Sequence, residues 1–160
     1  EDMQNWQGRR IQLSIFDVTN LAAPRLAHTT TLGDANSYSE AQWNHKAFNY
    51  FAAKKLLAVP FSDWNWGGNG DYWSSFVSDL RVFSVDTQTG FVAKGSVRLS
   101  DLYRVHNYWG WTYYWQPAVR RSVMADDFVY AISDAGIRVA HIADLSAALA
   151  TVQFDRYVDY

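Results

Sequence analysis

Tandem repetition of one four-stranded β unit predicts an all-β fold: a partial β-propeller of about two and a half four-stranded antiparallel blades. The first observation is a phrase written three times, as Leu13-Ser14-Ile15-Phe16-Asp17-Val18, Leu80-Arg81-Val82-Phe83-Ser84-Val85 and Ile137-Arg138-Val139-Ala140-His141-Ile142. Large apolar residues occupy its first, third and sixth places. The second observation is the β-like run that follows each copy after a turn: Arg25 to Leu32, Phe91 to Leu99 and Leu149 to Phe154. The third is a hairpin before the second and third copies and none before the first. A β-sandwich also needs many short strands, but repetition of the whole four-strand order favours the propeller.

Residues 1–10 are polar and weakly patterned, and the first strand is expected to begin near Ile11. Asn20 to Pro24 breaks the chain, because proline cannot donate to a ladder. Thr29, Thr30 and Thr31 suit the pleated return strand that follows, and Gly33 to Glu40 reads as a loop. Lys46 to Phe51 and Leu56 to Phe61 read as strands joined by a turn at Ala52-Ala53-Lys54-Lys55. Arg121 to Met124 and Phe128 to Ile132, joined by Ala125-Asp126-Asp127, repeat that shape. Two insertions, Ser62 to Ser75 and Ser100 to Pro117, interrupt the period. Loops beyond about 12 residues in a compact domain are usually functional or disordered, and their aromatic density argues against disorder. The resulting division is a half blade at 11–33, a blade at 45–100 carrying the 62–75 insertion, a further insertion at 100–117, and a blade at 118–155.

Composition removes several functions. The 14 basic and 16 acidic residues are dispersed and give a net charge of -2, so no basic block exists to neutralise a phosphate backbone. Nucleic acid is not an expected partner. The absence of cysteine excludes disulfides and thiolate metal sites, and no apolar run is long enough to form a transmembrane segment. With 8 Trp, 10 Tyr and 9 Phe, the chain has more aromatic surface than a core of this size needs, which places rings at surfaces or contacts. Glu1 in place of Met, with no leader pattern, reads as a processed or trimmed start.

The chain resembles the secreted bacterial and archaeal proteins with a C-terminal β-propeller domain distantly related to WD repeats. The resemblance is carried by Leu13 to Asn20 with Pro24, by Ser39-Glu40-Ala41-Gln42-Trp43-Asn44-His45-Lys46-Ala47-Phe48, by Leu56 to Pro60, and by Arg121 to Ile137. It implies the C-terminal portion of a propeller larger than these residues, and a secreted, periplasmic or cell-surface location. It carries over no catalytic residue. Because a closed ring takes at least four blades, the rest of the propeller or another protein chain is expected to complete it.

Four groups of residues could carry chemistry. Asp63, Asn65, Asn69 and Asp71, with Gly68 between them, echo a calcium loop; calcium is the one cofactor the sequence raises. The fifth place is Gly67 and the twelfth Ser74, where calcium wants further oxygens, so a turn-rich insertion explains the same residues. Glu40, His45 and Lys46 could tune a histidine near neutrality. Without an activated nucleophile or second fixed acid, they read instead as a structural polar cluster between blades. Asp126-Asp127 resembles a carboxylate pair, but neighbours at a hairpin turn point apart, and turn chemistry accounts for them. His28, His106 and His141 are scattered, with no metal-binding spacing.

The aromatic insertions are the best candidates for recognition. Tyr108, Trp109, Trp111, Tyr113, Tyr114 and Trp115, with Trp64, Trp66 and Trp73, offer flat rings that stack on glycans or anchor protein contacts. The same rings could instead cover an open blade side. The expected function is a non-catalytic binding or assembly module. The alternatives are part of a carbohydrate-active or other hydrolytic enzyme, and calcium-stabilised adhesion.

Overall fold

A computed structural model describes residues 10–34, 36–64, 76–102, 104–108, 111–115 and 117–154. Among them every regular element is a β-strand or a short 3-10 turn, in four antiparallel sheets. Strands β1 (Ile11–Asp17) and β2 (Arg25–Leu32) form a two-stranded sheet. A four-stranded meander follows: β3 (Asn49–Phe51), β4 (Leu56–Trp64), β5 (Phe76–Asp86) and β6 (Gly90–Arg98). A hairpin of β7 (Arg104–Tyr108) and β8 (Trp111–Trp115) precedes a second meander. That meander comprises β9 (Val119–Ala125), β10 (Phe128–Ser133), β11 (Gly136–His141) and β12 (Asp144–Gln153). The partial propeller expected from the repeats is the architecture observed.

The repeat extends to a backbone irregularity. In all three copies the ladder slips between the third and fourth places of the phrase, at Ile15/Phe16, Val82/Phe83 and Val139/Ala140. The return strand carries the extra residue each time: Ala27 on β2, Lys94 on β6 and Leu149 on β12. A bulge leaves one residue unpaired and sharpens local twist, so the copies share a bend as well as a pattern.

Burial explains why β4 is an almost unbroken apolar run. Alternate side chains of a strand point to opposite faces, and both faces of the β3–β6 sheet are covered. Leu57, Val59, Phe61 and Phe83 pack with Ile11, Leu13 and Leu32 of the β1–β2 sheet. Leu56, Ala58, Leu80 and Val82 pack with Val119, Val129, Ala131 and Ala140 of the β9–β12 sheet. The strand reads as continuously hydrophobic for the same reason a doubly covered parallel strand does.

Pro60 lies inside β4 without disrupting it. β3 stops at the Asn49↔Ala58 pair, so no strand waits for an N–H from residue 60. The segment after the loop takes over that edge: the Ser39 hydroxyl donates to the Pro60 carbonyl at 2.5 Å, and Tyr38 and Ser62 exchange backbone hydrogen bonds of 2.9 Å.

Four expectations change in extent. The strand expected from Lys46 begins only at Asn49, because the Asn44 side chain accepts the Lys46 N–H and winds His45–Ala47 into a 3-10 turn. The strands flanking the 62–75 insertion run into it, pairing through Asp63↔Val77 and Trp64↔Phe76. The 100–117 insertion is not a plain loop, since it holds the β7–β8 hairpin, and β12 starts at Asp144 rather than Leu149.

Candidate functional site

The equivalent places of the three phrases have unequal surroundings. Leu13 faces β3–β6, and Leu80 and Val82 face β9–β12, all buried. Ile137 and Val139 occupy the same places on β11, where alternation turns them away from β3–β6 while Ala140 packs toward it. Tyr130 and Ile132 on β10 pair with Val139 and Ile137, extending the row. Val123 and Val152, opposite Tyr130 and Ile137, are 48% and 58% exposed. Among the described residues no sheet covers this apolar face.

The two covered boundaries are pinned by polar contacts at their rims. Arg120 on β9 reaches Glu40 at 2.9 Å and Asp134 at 2.8 Å. Glu40 is nearly buried; burial pushes its carboxyl up, but hydrogen bonds from Asn44 and Arg120 outweigh this and hold it below its usual value. The Asn49 amide donates to the Ser122 carbonyl at 3.1 Å. Arg138 donates to both Asp101 oxygens, at 2.8 and 2.9 Å, a bidentate geometry that lowers that carboxyl. On the other boundary His28 Nε2 lies 2.8 Å from the Thr87 carbonyl.

A second feature lies between β2 and the β5–β6 pair. It is an open groove of about 370 Å³ with Asp79 and Arg81 in its lining. These residues share the face of β5 that carries Phe83, by strand alternation. The Arg81 guanidinium stacks on the Phe61 ring, 3.4 Å from its centroid. Asp79 is only 5% exposed, and its Oδ1 has no hydrogen-bond partner. Arg98 approaches no closer than 3.9 Å. Burial pushes the Asp79 carboxyl up, and the Arg98 and Arg81 charges pull it back only in part. Burial likewise lowers Arg81.

The residues singled out in the sequence fall into separate places. Glu40 joins Asn44 and Arg120 rather than His45 or Lys46, which are exposed on their 3-10 turn. Arg120 was not legible as Glu40's partner, since 80 residues separate them. Asp63 accepts the Trp64 N–H at 2.7 Å and the Ser37 hydroxyl at 2.9 Å. Ser37 in turn accepts the Asp34 N–H at 2.6 Å beneath Gly33, whose φ of 68° suits the turn. Asp63 therefore braces the 33–37 loop. Asn65, Trp66, Asn69, Asp71 and Trp73 lie outside the described residues, as does Trp109. Trp64 meets Phe76 with ring centroids 4.9 Å apart.

Tyr108, Trp111, Tyr113, Tyr114 and Trp115 belong to the β7–β8 hairpin, where Tyr108 pairs with Trp111 and His106 with Tyr113. Asp126 adopts a left-handed turn conformation with φ of 50°, and Asp127 pairs with Lys54 across the sheet boundary. Asp79 and Arg81 escaped the sequence reading because a charged residue in a β pattern ordinarily marks a solvent face.

In comparisons with known proteins, the model of a family described as "Beta propeller domain" matches residues 1–145. Searches of curated proteins and of solved structures each found no match.

Proposed function

The chain belongs to the β-propeller domain family, and on that premise we propose that it is a non-catalytic binding and assembly module whose first partner is a further propeller blade. The observation that carries this reading is the row of Ile137, Val139, Tyr130 and Ile132, which no sheet covers among the described residues, whereas Leu80, Val82 and Ala58 at the equivalent places of the preceding four-stranded sheet are sealed by the next sheet. An apolar sheet face lowers its free energy by leaving water, at about 25 cal/mol per Å². A blade of the same kind is the occupant, because the chain already packs sheet on sheet at two such boundaries. That blade comes from the rest of the propeller or from another protein chain.

Sedimentation of the purified chain at rising concentration tests the proposal. Wild type is expected to self-associate or to bind an apolar-surface dye, and Ile137→Glu with Val139→Glu to do neither. A wild-type chain that stays monomeric and dye-free would overturn it.

Recognition through the aromatic insertions is the second part of the proposal. The hairpin residues Tyr108 to Trp115, with Trp64, Trp66 and Trp73, supply ring surfaces of the kind that anchor protein or glycan contacts. A location outside the cell, in the periplasm or at the surface, is supported by the resemblance to secreted propeller proteins. No helix among the described residues is long and apolar enough to cross a membrane.

A further inference from the structure

The groove between β2 and β5–β6 has the makings of a ligand site separate from the uncovered blade face. Its polar lining is one acid, Asp79, one base, Arg81, and the hydroxyl-bearing Thr30 and Ser96. Leu32 and Phe83 supply apolar wall. At about 370 Å³ it lies near the lower end of the range for small-molecule pockets, roughly 300–1,000 Å³.

Asp79 is the informative residue. Buried polar groups in folded proteins are nearly always hydrogen-bonded, and an exception calls for a missing partner or a function. Asp79 is 95% buried by its 5% exposure, borders the groove, and leaves Oδ1 unpartnered. Rotation about χ2 exchanges its two oxygens, so either can meet a donor entering from the groove. Arg81 complements it: stacking on Phe61 holds the guanidinium plane, and its N–H groups are donors only.

From this pairing we infer that the groove binds a neutral polyol of monosaccharide size, one hydroxyl donating to Asp79 and a neighbouring hydroxyl accepting from Arg81. A hydroxyl both donates and accepts, so a vicinal diol satisfies an acid and a base side by side. One charge of each sign asks for no net charge on the ligand. Phe83 and Leu32 take the C–H face of the ring, as apolar walls with a few placed polar groups do in small-ligand sites.

Titration of the isotope-labelled full chain with methyl α-D-glucopyranoside, D-galactose and glycine, followed by backbone amide NMR, tests this. Saturable shifts confined to β2, β5 and β6 are expected with a sugar and not with glycine. Asp79→Asn should weaken sugar binding about ten-fold, since a hydrogen bond to a charged group is lost for a neutral one. Thr30→Val, which keeps its shape, should weaken it less. No saturable shift with either sugar would overturn the inference. So would binding of glycine in place of sugar, or unchanged sugar affinity in Asp79→Asn. The blade-face double variant Ile137→Glu with Val139→Glu should bind sugar as wild type does, which keeps this result independent of the assembly reading.

Discussion

Arg120 of β9 holds the carboxylate of Glu40 at 2.9 Å, joining the turn ahead of one four-stranded sheet to the first strand of the next. Glu40 is the more buried partner, with 12% of its side chain exposed against 46% for Arg120. The loss of Arg120 therefore strands a nearly buried acid.

Arg120→Met should destabilise the chain by about 1–2 kcal/mol, below the buried-pair range because Arg120 is half in water. Glu40→Gln with Arg120→Met should cost less than the sum of the single changes. Urea denaturation of the four proteins measures both. The Glu40 carboxyl is held below its usual value of 4.5, so its contribution is present above that pH and is lost as pH falls through the lower folded value. The gap between wild type and Arg120→Met should narrow on acidification.

Asp79 should behave in the opposite sense. Its folded carboxyl is raised above 3.8, so the favourable contribution is complete below that value and is lost as pH rises through the folded one. Asp79→Asn is expected to match or exceed wild-type stability at neutral pH, by up to about 1 kcal/mol, since it removes a buried charge that no hydrogen bond satisfies and that Arg98 meets only at 3.9 Å. That advantage should shrink toward acid pH in thermal melts. A variant less stable than wild type at pH 7 would contradict the account of Asp79 as a buried acid without a hydrogen bond.

Equivalent phrase positions should respond unequally to truncation. Leu80 is fully buried between two sheets, and Leu80→Ala should cost about 2–5 kcal/mol. Ile137→Ala, on the uncovered face, should cost less than about 1 kcal/mol in the isolated chain. Equal losses would show that the β11 face is covered in solution.

Asp63→Ala should destabilise by about 1–2 kcal/mol through release of Ser37 and Trp64, whether calcium is present or chelated. A rise in wild-type Tm with calcium that vanishes in Asp63→Ala and Asp71→Asn would assign the 63–71 loop to metal binding instead.

Trp109→Ala, Trp111→Ala and Trp115→Ala together separate the two roles of the aromatic insertion. Lost capture by a glycan array with an unchanged melt supports recognition, whereas collapse of the melt assigns the rings to covering the fold.

The strand pairs at 11–32, 56–99 and 121–153 were legible because period-2 alternation and turn residues act locally. The phrase alone determined that one β unit had been copied, since apolar residues at its first and third places must share a face. Only tertiary structure decided which faces are sealed: Leu80 and Ile137 are interchangeable in the pattern, yet Leu80 is fully buried and Ile137 only partly so. It also paired Glu40 with Arg120 rather than with His45, because cross-sheet contacts span sequence distances that local patterns do not encode. It buried Asp79 without a hydrogen-bond partner for the same reason, since the strand laid over that face of β5 is distant in sequence.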